Sequence, residues 1–209
     1  GHASAAIYTT LALKGFLDYD KLDKYYCDDG ELPGHIDMTV SDALDLSAGS
    51  LGHGLSVGAG MALAMRIDAI ENRIVVIMGD GEINEGSIWE AAMFITRENL
   101  KNITIFIDCN KFQGYDETSK ILTYDRNKNM WLALGYDVLE VDGHNFYEIE
   151  TAFNNKSERP IVILANTIKG KGVSYMENKL EWHYKSPSLE ELRKGLEELE
   201  ENNLWEQLL

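Results

Sequence analysis

Three short, unbroken apolar runs set the terms on which this chain can fold. Arg73–Met78 (RIVVIM), Ile103–Ile107 (ITIFI) and Ile161–Asn166 (IVILAN) are bounded by polar or turn residues and rich in β-branched side chains. None alternates polar with apolar, so each reads as a strand buried on both faces of a sheet. Asp137–Val141 adds a fourth strand. Helical spacing marks Ala3–Gly15, Asp18–Tyr26, the small-residue segment Leu55–Ile70, Glu85–Asn99 and Phe146–Lys156. A loop region rich in Gly, Asp and Ser runs from Asp28 to Gly54. Strands separated by helices of roughly 10–15 residues are βαβ units. The expected fold class is therefore α/β, a doubly wound, mainly parallel sheet with helices on both faces. No repeat, low-complexity linker or boundary interrupts the pattern, so one domain is expected over residues 1–209.

A chain of 209 residues is long enough to bury a continuous core. No apolar run approaches the roughly 20 residues that cross a bilayer, which argues against a membrane role. The formal net charge of −16 repels phosphate backbones and argues against nucleic acid as a partner. Much of that charge sits in Ser188–Asn203 (SLEELRKGLEELEENN), which reads as a helix with a solvated acidic face. Cys27 and Cys109 are too few and too far apart for a disulfide framework or a zinc site, and a cytoplasmic location is expected. The first residue is Gly1 rather than Met, and a missing upstream segment is expected.

Ligands of a doubly wound sheet bind beyond the carboxyl ends of its strands. The first apolar run ends in Gly79-Asp80-Gly81 and the second in Asp108-Cys109-Asn110. Asp80 and Asn110 stand 30 residues apart, one strand–helix–strand unit. If the strands are neighbours, both side chains project from one sheet edge. A carboxylate and an amide oxygen there are hard donors, suited to Mg²⁺ or Ca²⁺. Gly81 admits an anion close to the backbone, and the helix beginning near Glu85 offers free N–H groups to phosphate. Gly58-Ala59-Gly60 lacks the third glycine and the preceding strand of a dinucleotide fingerprint, and no GxxxxGK[ST] loop exists.

The pairing of GDG with an Asn one βαβ unit later resembles the thiamine-diphosphate motif. That resemblance implies Asp80 and Asn110 as metal ligands, with the backbone carbonyl of Phe112 as a third. Four further segments are similar to the N-terminal portion of the transketolase family: Gly1-His2-Ala3-Ser4, Pro33-Gly34-His35, Ala48-Gly49-Ser50-Leu51-Gly52-His53-Gly54 and Glu181-Trp182-His183. The likeness runs through essentially the whole chain. It implies that Gly49, Leu51, Gly79, Asp80, Gly81, Asn110 and His183 bind the cofactor. It also implies that His2, His35 and His183 line the substrate channel, and that Glu85, a fourth catalytic candidate, matches a family Glu that faces the activating Glu across a subunit interface. Breaking a ketose beside its carbonyl needs an electron sink, which the cofactor supplies, and proton exchange near neutral pH, which histidine suits. His53 and His144 are read as structural, His144 helping to start a helix. Ile36 stands where relatives carry the proline of PGHP, so the donor sugar is left open.

The resemblance further implies half an enzyme. The Glu that protonates the aminopyrimidine ring belongs to a separate pyrimidine-binding domain, for which this chain has no counterpart. The expected protein is one component of a split transketolase that transfers a two-carbon ketol unit from a ketose or ketose phosphate to an aldose. It would pair with a pyrimidine-domain (C-terminal transketolase) subunit, forming at least a homodimer alone and α₂β₂ with its partner. A separate partner polypeptide is expected, because the acidic helix and Leu204–Leu209 look like a finished end. The alternatives are a deoxyxylulose-phosphate synthase-like enzyme, the α chain of a 2-oxo-acid dehydrogenase, and a non-catalytic cofactor-binding subunit. Pro33-Gly34-His35 and Trp182-His183 favour the first reading.

Overall fold

A computed structural model describes residues 1–122 and 127–201. Read from its sequence as one continuous domain, the chain forms two compact units, Gly1–Gly54 and Leu55–Leu209.

The first unit is built on helix α1 (Ser4–Leu13), somewhat shorter than expected. Asp18–Tyr26, expected as a helix, is a 3₁₀ turn over Tyr19–Lys24. Tyr8, Ala12, Leu17 and Leu32 are buried together, with Leu11, Leu22, Tyr25, Val40 and Leu44 packed around them. The polar atoms of the buried helix face hold the loop that follows. Ser4 Oγ donates to the Gly34 carbonyl at 2.7 Å, and Tyr8 Oη donates to the His35 carbonyl at 3.0 Å. The Asp37 N–H closes the cluster by donating to Tyr8 Oη at 3.2 Å.

The second unit is a four-stranded parallel sheet of β1 (Ile74–Gly79), β2 (Ile103–Cys109), β3 (Asp137–Asp142) and β4 (Ile161–Asn166), in the order β1-β2-β4-β3. All three pairings are parallel. Helices α2 (Gly54–Ile67), α3 (Gly86–Arg97) and α5 (Asn127–Leu134) contribute to the main core, and α6 (Phe146–Phe153) packs on β3 and β4. The alternation of β2 divides its side chains: Ile103, Ile105 and Ile107 enter the main core, while Phe106 joins Val141, Ile161, Ile163 and Ala152 of α6. Gly58 brings α2 close to the sheet, since a Cβ there would lie 2.6 Å from Val76 Cγ2. Trp131 and Tyr136 are fully buried edge to face, and the Tyr136 hydroxyl donates to the Ala92 carbonyl at 3.0 Å.

One strand departs from the expectation of burial on both faces. Ile74, Val76 and Met78 of β1 are buried, but Val75 and Ile77 are 43% and 70% exposed. β1 is an edge strand of this sheet, and α6 packs mainly on β3 and β4, its Phe153 ring reaching Phe106 of β2 at 6.1 Å. Two helices add to those expected from sequence, α4 (Thr118–Ile121) and α5. α7 (Leu189–Glu201) starts with reciprocal bonds, Glu191 N–H to Ser188 Oγ at 3.2 Å and Ser188 N–H to Glu191 Oε2 at 2.8 Å. It is tied to the preceding loop, since the Ser174 N–H and hydroxyl donate to Glu198 at 2.6 and 2.7 Å. Its expected extension to Asn203, and Leu204–Leu209, lie outside the described residues.

The two faces of the sheet predict different tolerances. Ile105→Ala, in the middle of β2, should cost roughly 2–5 kcal/mol in a chemical denaturation experiment. Ile77→Ala, on the open face of β1, should cost under about 1 kcal/mol.

Candidate functional site

The parallel register decides what stands beside what. Gly79 of β1 pairs with Asp108 of β2, so the segments leaving the two strands begin side by side. The Asp80 N–H donates to the Asp108 carbonyl at 3.0 Å, carrying the ladder one residue further. Asp80 therefore sits at the carboxyl edge of the sheet, only 2% exposed. Its Oδ2 accepts the Lys111 N–H at 2.6 Å. Lys111 has a φ of +70°, a left-handed turn that folds the loop after β2 back over the Asp80 carboxylate. Burial, opposed by backbone hydrogen bonds and reinforced by Asp108, raises the Asp80 carboxyl to about 7.

Asn110 begins that loop. Its Oδ1 accepts the Phe112 N–H at 2.9 Å and its Nδ2 donates to Asp108 Oδ2 at 3.1 Å. Gln113 then packs on the GDG turn, where a Cβ on Gly81 would fall 2.6 Å from Gln113 Cβ. Gln113 Oε1 accepts from Asn84 Nδ2 at 3.4 Å. A cavity of about 670 Å³ opens at this edge, lined by Asp80, Lys111, Phe112, Glu117, Lys128 and Asn166 among others. Cys109, between the two functional positions, is held out of reactivity: burial, aided by Asp80 and Asp108, pushes its thiol up to about 12.

The donor set fits a hard divalent cation. It offers the Asp80 carboxylate, the Asn110 amide oxygen and main-chain carbonyls, with no sulfur or imidazole among the proposed ligands. The turn at Gly81 leaves no room for a side chain on the face covered by Gln113, so glycine is required for that loop to close over the turn. The helix expected near Glu85 is preceded by a 3₁₀ turn, Glu82–Asn84, and α3 itself starts at Gly86. Glu85 is the N-cap residue in extended conformation, exposed and without a side-chain capping bond.

His183 closes a 3₁₀ turn at Leu180–His183 in the same unit. A Cβ on Gly114 would lie 2.4 Å from Tyr184 Oη and 3.7 Å from His183 Nε2, so the glycine lets the loop after β2 approach this pair. In the first unit, His2 and His35 meet with ring centroids 4.8 Å apart, nearly perpendicular. Gly49 packs on His35, where a Cβ would be 2.9 Å from His35 Cδ2. Leu51 is exposed, and its carbonyl lies 3.2 Å from His53 Nδ1. Each unit thus assembles its own group, His2, His35 and Gly49 in one and Asp80, Gly81, Asn110 and His183 in the other.

Two residues differ from their sequence reading. His144 does not cap α6; Asn145 does, its Oδ1 accepting the Tyr147 and Glu148 N–H groups at 3.1 and 3.3 Å. His144 Nε2 instead accepts the Ile168 N–H at 2.8 Å, binding the β3–α6 turn to the loop after β4. Asp108 received no role from sequence, although its position two residues before Asn110 was a usable signal.

With this geometry in place, residues 1–199 match the family described as transketolase, thiamine diphosphate binding domain. The 6-deoxy-6-sulfo-D-fructose transketolase subunit SqwG of a Clostridium species is 41% identical over 203 residues, covering 96% of this chain and 74% of the relative. The chain belongs to the transketolase family. An apulose-4-phosphate transketolase subunit of Phocaeicola vulgatus is 37% identical over 204 residues, covering 96% of this chain and 72% of that one. Among solved structures, transketolase from Campylobacter jejuni superposes with a TM-score of 0.85 at 28% identity, over 94% of this chain and 32% of that chain. The transketolase resemblance and the α/β fold class read from sequence are both borne out, and the family is one that binds thiamine diphosphate.

The raised Asp80 carboxyl gives a test in cation-free buffer. A carboxyl whose value in the folded state exceeds its unfolded value penalises folding as pH rises from about 4 through about 7. Asp80→Asn should abolish that fall in thermal stability and, at pH 8, exceed the native chain by roughly 2 kcal/mol. Parallel pH profiles of melting temperature check it.

Proposed function

We propose that this chain is the cofactor-anchoring subunit of a split transketolase, moving a two-carbon ketol unit from a ketose or ketose phosphate to an aldose. The observation that carries the reading is the Gly79–Asp108 register, which brings the buried Asp80 carboxylate and Asn110 to one sheet edge. The names of the two relatives, both subunits of sugar transketolases, support it.

In this reading Mg²⁺ (or Ca²⁺) is held by Asp80, Asn110 and the Phe112 carbonyl, and Gly79, Gly81, Gly49, Leu51 and His183 contact the cofactor. Thiamine diphosphate, when bound, supplies the electron sink for breaking the carbon–carbon bond beside the donor carbonyl. The chain's own residues manage position and protons. His2, His35 and His183 take a proton from a donor hydroxyl or return one to the acceptor, work for which neutral imidazole is suited near pH 7. The Tyr8 bond to the His35 carbonyl fixes the backbone from which that imidazole projects. Glu85, exposed at the start of α3, faces outward toward the activating Glu of a pyrimidine-domain partner.

The partner in this reading is a pyrimidine-domain subunit, in an α₂β₂ assembly, and the substrates are sugars or sugar phosphates. Among the described residues no helix is long and apolar enough to cross a membrane. A cytoplasmic site of action belongs to the same proposal.

Because the cofactor must be gripped at both ends, the purified chain should show no ketol transfer. Mixing it with its pyrimidine-domain subunit should give turnover in a coupled assay with a ketose donor. Robust turnover by the isolated chain, or turnover of the mixture with pyruvate alone as donor, would contradict the proposal.

A further inference from the structure

Asp108 lies at the carboxyl end of β2, and its two carboxylate oxygens serve different partners. Oδ2 accepts the Asn110 Nδ2–H at 3.1 Å. Oδ1 accepts the hydroxyl of Thr167, just beyond β4. Its main-chain carbonyl accepts the Asp80 N–H at 3.0 Å. One residue thus touches both of the residues assigned to the cation.

The consequence lies in the chemistry of Asn110. A primary amide ends in one oxygen and one nitrogen of nearly equal size, and packing alone does not choose between them. Only the oxygen can ligate a hard cation. With a carboxylate oxygen 3.1 Å from one end, the NH₂ must point there. The oxygen is then turned to the opposite side, where it accepts the Phe112 N–H at 2.9 Å and retains a second lone pair. The reversed amide would set oxygen against the Asp108 carboxylate and NH₂ against the Phe112 N–H, two donor or acceptor clashes at once.

We propose that Asp108 is a positioning residue that locks the Asn110 amide with its oxygen, not its nitrogen, presented to the divalent cation, and that Thr167 in turn anchors the Asp108 carboxylate. The inference rests on the reading of Asp80 and Asn110 as cation ligands. It explains why an acid occupies position 108: a neutral acceptor would orient the amide less firmly, and a second negative charge behind Asp80 complements a doubly charged ion.

The test follows Mn²⁺ binding to the whole chain by electron paramagnetic resonance, with thiamine diphosphate present, and needs no turnover. Asp108→Leu should weaken Mn²⁺ binding roughly 10–100-fold, and Thr167→Val, a milder change that keeps the carboxylate, should weaken it less. The deciding background is Asn110→Asp. A carboxylate at 110 has oxygen at both ends and needs no orienting partner, and it is repelled by Asp108. There Asp108→Leu and Thr167→Val should cause no loss, and the former a gain. Equal losses in both backgrounds, or wild-type binding by both single variants, would overturn the positioning role. Should Asp108→Leu lose its circular dichroism spectrum, the Thr167→Val pair decides alone. Asn110→Ala separates the two levels of the account. If it abolishes binding while the Asp108 and Thr167 variants do not, only the positioning role falls; if the native chain binds no Mn²⁺, both fall.

Discussion

The site proposed for the cation depends on one main-chain contact, the parallel pairing of Gly79 with Asp108. It fixes where two strands end relative to each other, and through that which side chains can share a ligand. Extended by the Asp80 N–H bond to the Asp108 carbonyl, it seats a carboxylate at the rim of an apolar core. A charge so placed is costly unless something of opposite sign is brought to it. Burial lifts the Asp80 carboxyl to about 7, the mark of a carboxylate held against the apolar core. The core that enforces this is ordinary: Ile74, Val76 and Met78 of β1 and Ile103, Ile105 and Ile107 of β2 against the small residues of α2 and the apolar face of α3.

Glycine does much of the remaining work, at places where a side chain would collide. Gly81 admits Gln113, Gly114 admits Tyr184, and Gly49 admits His35. Two of these close approaches, at Gly81 and Gly49, involve candidate functional residues and depend on an absent Cβ. Motif likeness marks Gly49 and Gly81 in the sequence, and the geometry supplies a physical reason for them. Gly114 has no motif to mark it.

What can be read from the sequence follows from the range of the forces involved. Strands β1, β2 and β4 announce themselves because a buried parallel strand must be apolar along its length. The neighbour relation of β1 and β2, only a condition on the sequence alone, is what makes the Asp80–Asn110 pair meaningful. The exposure of Val75 and Ile77 is not legible, because it depends on the place of β1 at the edge of the sheet and not on its composition. The division after Gly54 coincides with the end of the Gly-, Asp- and Ser-rich loop region, a composition shift that reads in sequence as a loop within one domain. His144 shows the same limit: its residue type suggests a helix start, but its bond goes to Ile168, 24 residues away. Asp108 is the instructive miss. It stands in a motif, but its partner Thr167 lies 59 residues further along the chain, and only the pairing of β2 with β4 brings the two together.

The central claim is that this chain holds the diphosphate end of its cofactor through a divalent cation bound by Asp80 and Asn110. The most direct measurement is calorimetric titration of the purified chain with thiamine diphosphate, with Mg²⁺ and again with EDTA, for the native protein and for Asp80→Ala and Asn110→Ala. The account predicts binding that needs Mg²⁺ and is lost in both variants while their circular dichroism is unchanged. Binding that survives EDTA, or that either variant retains at native affinity, would contradict it.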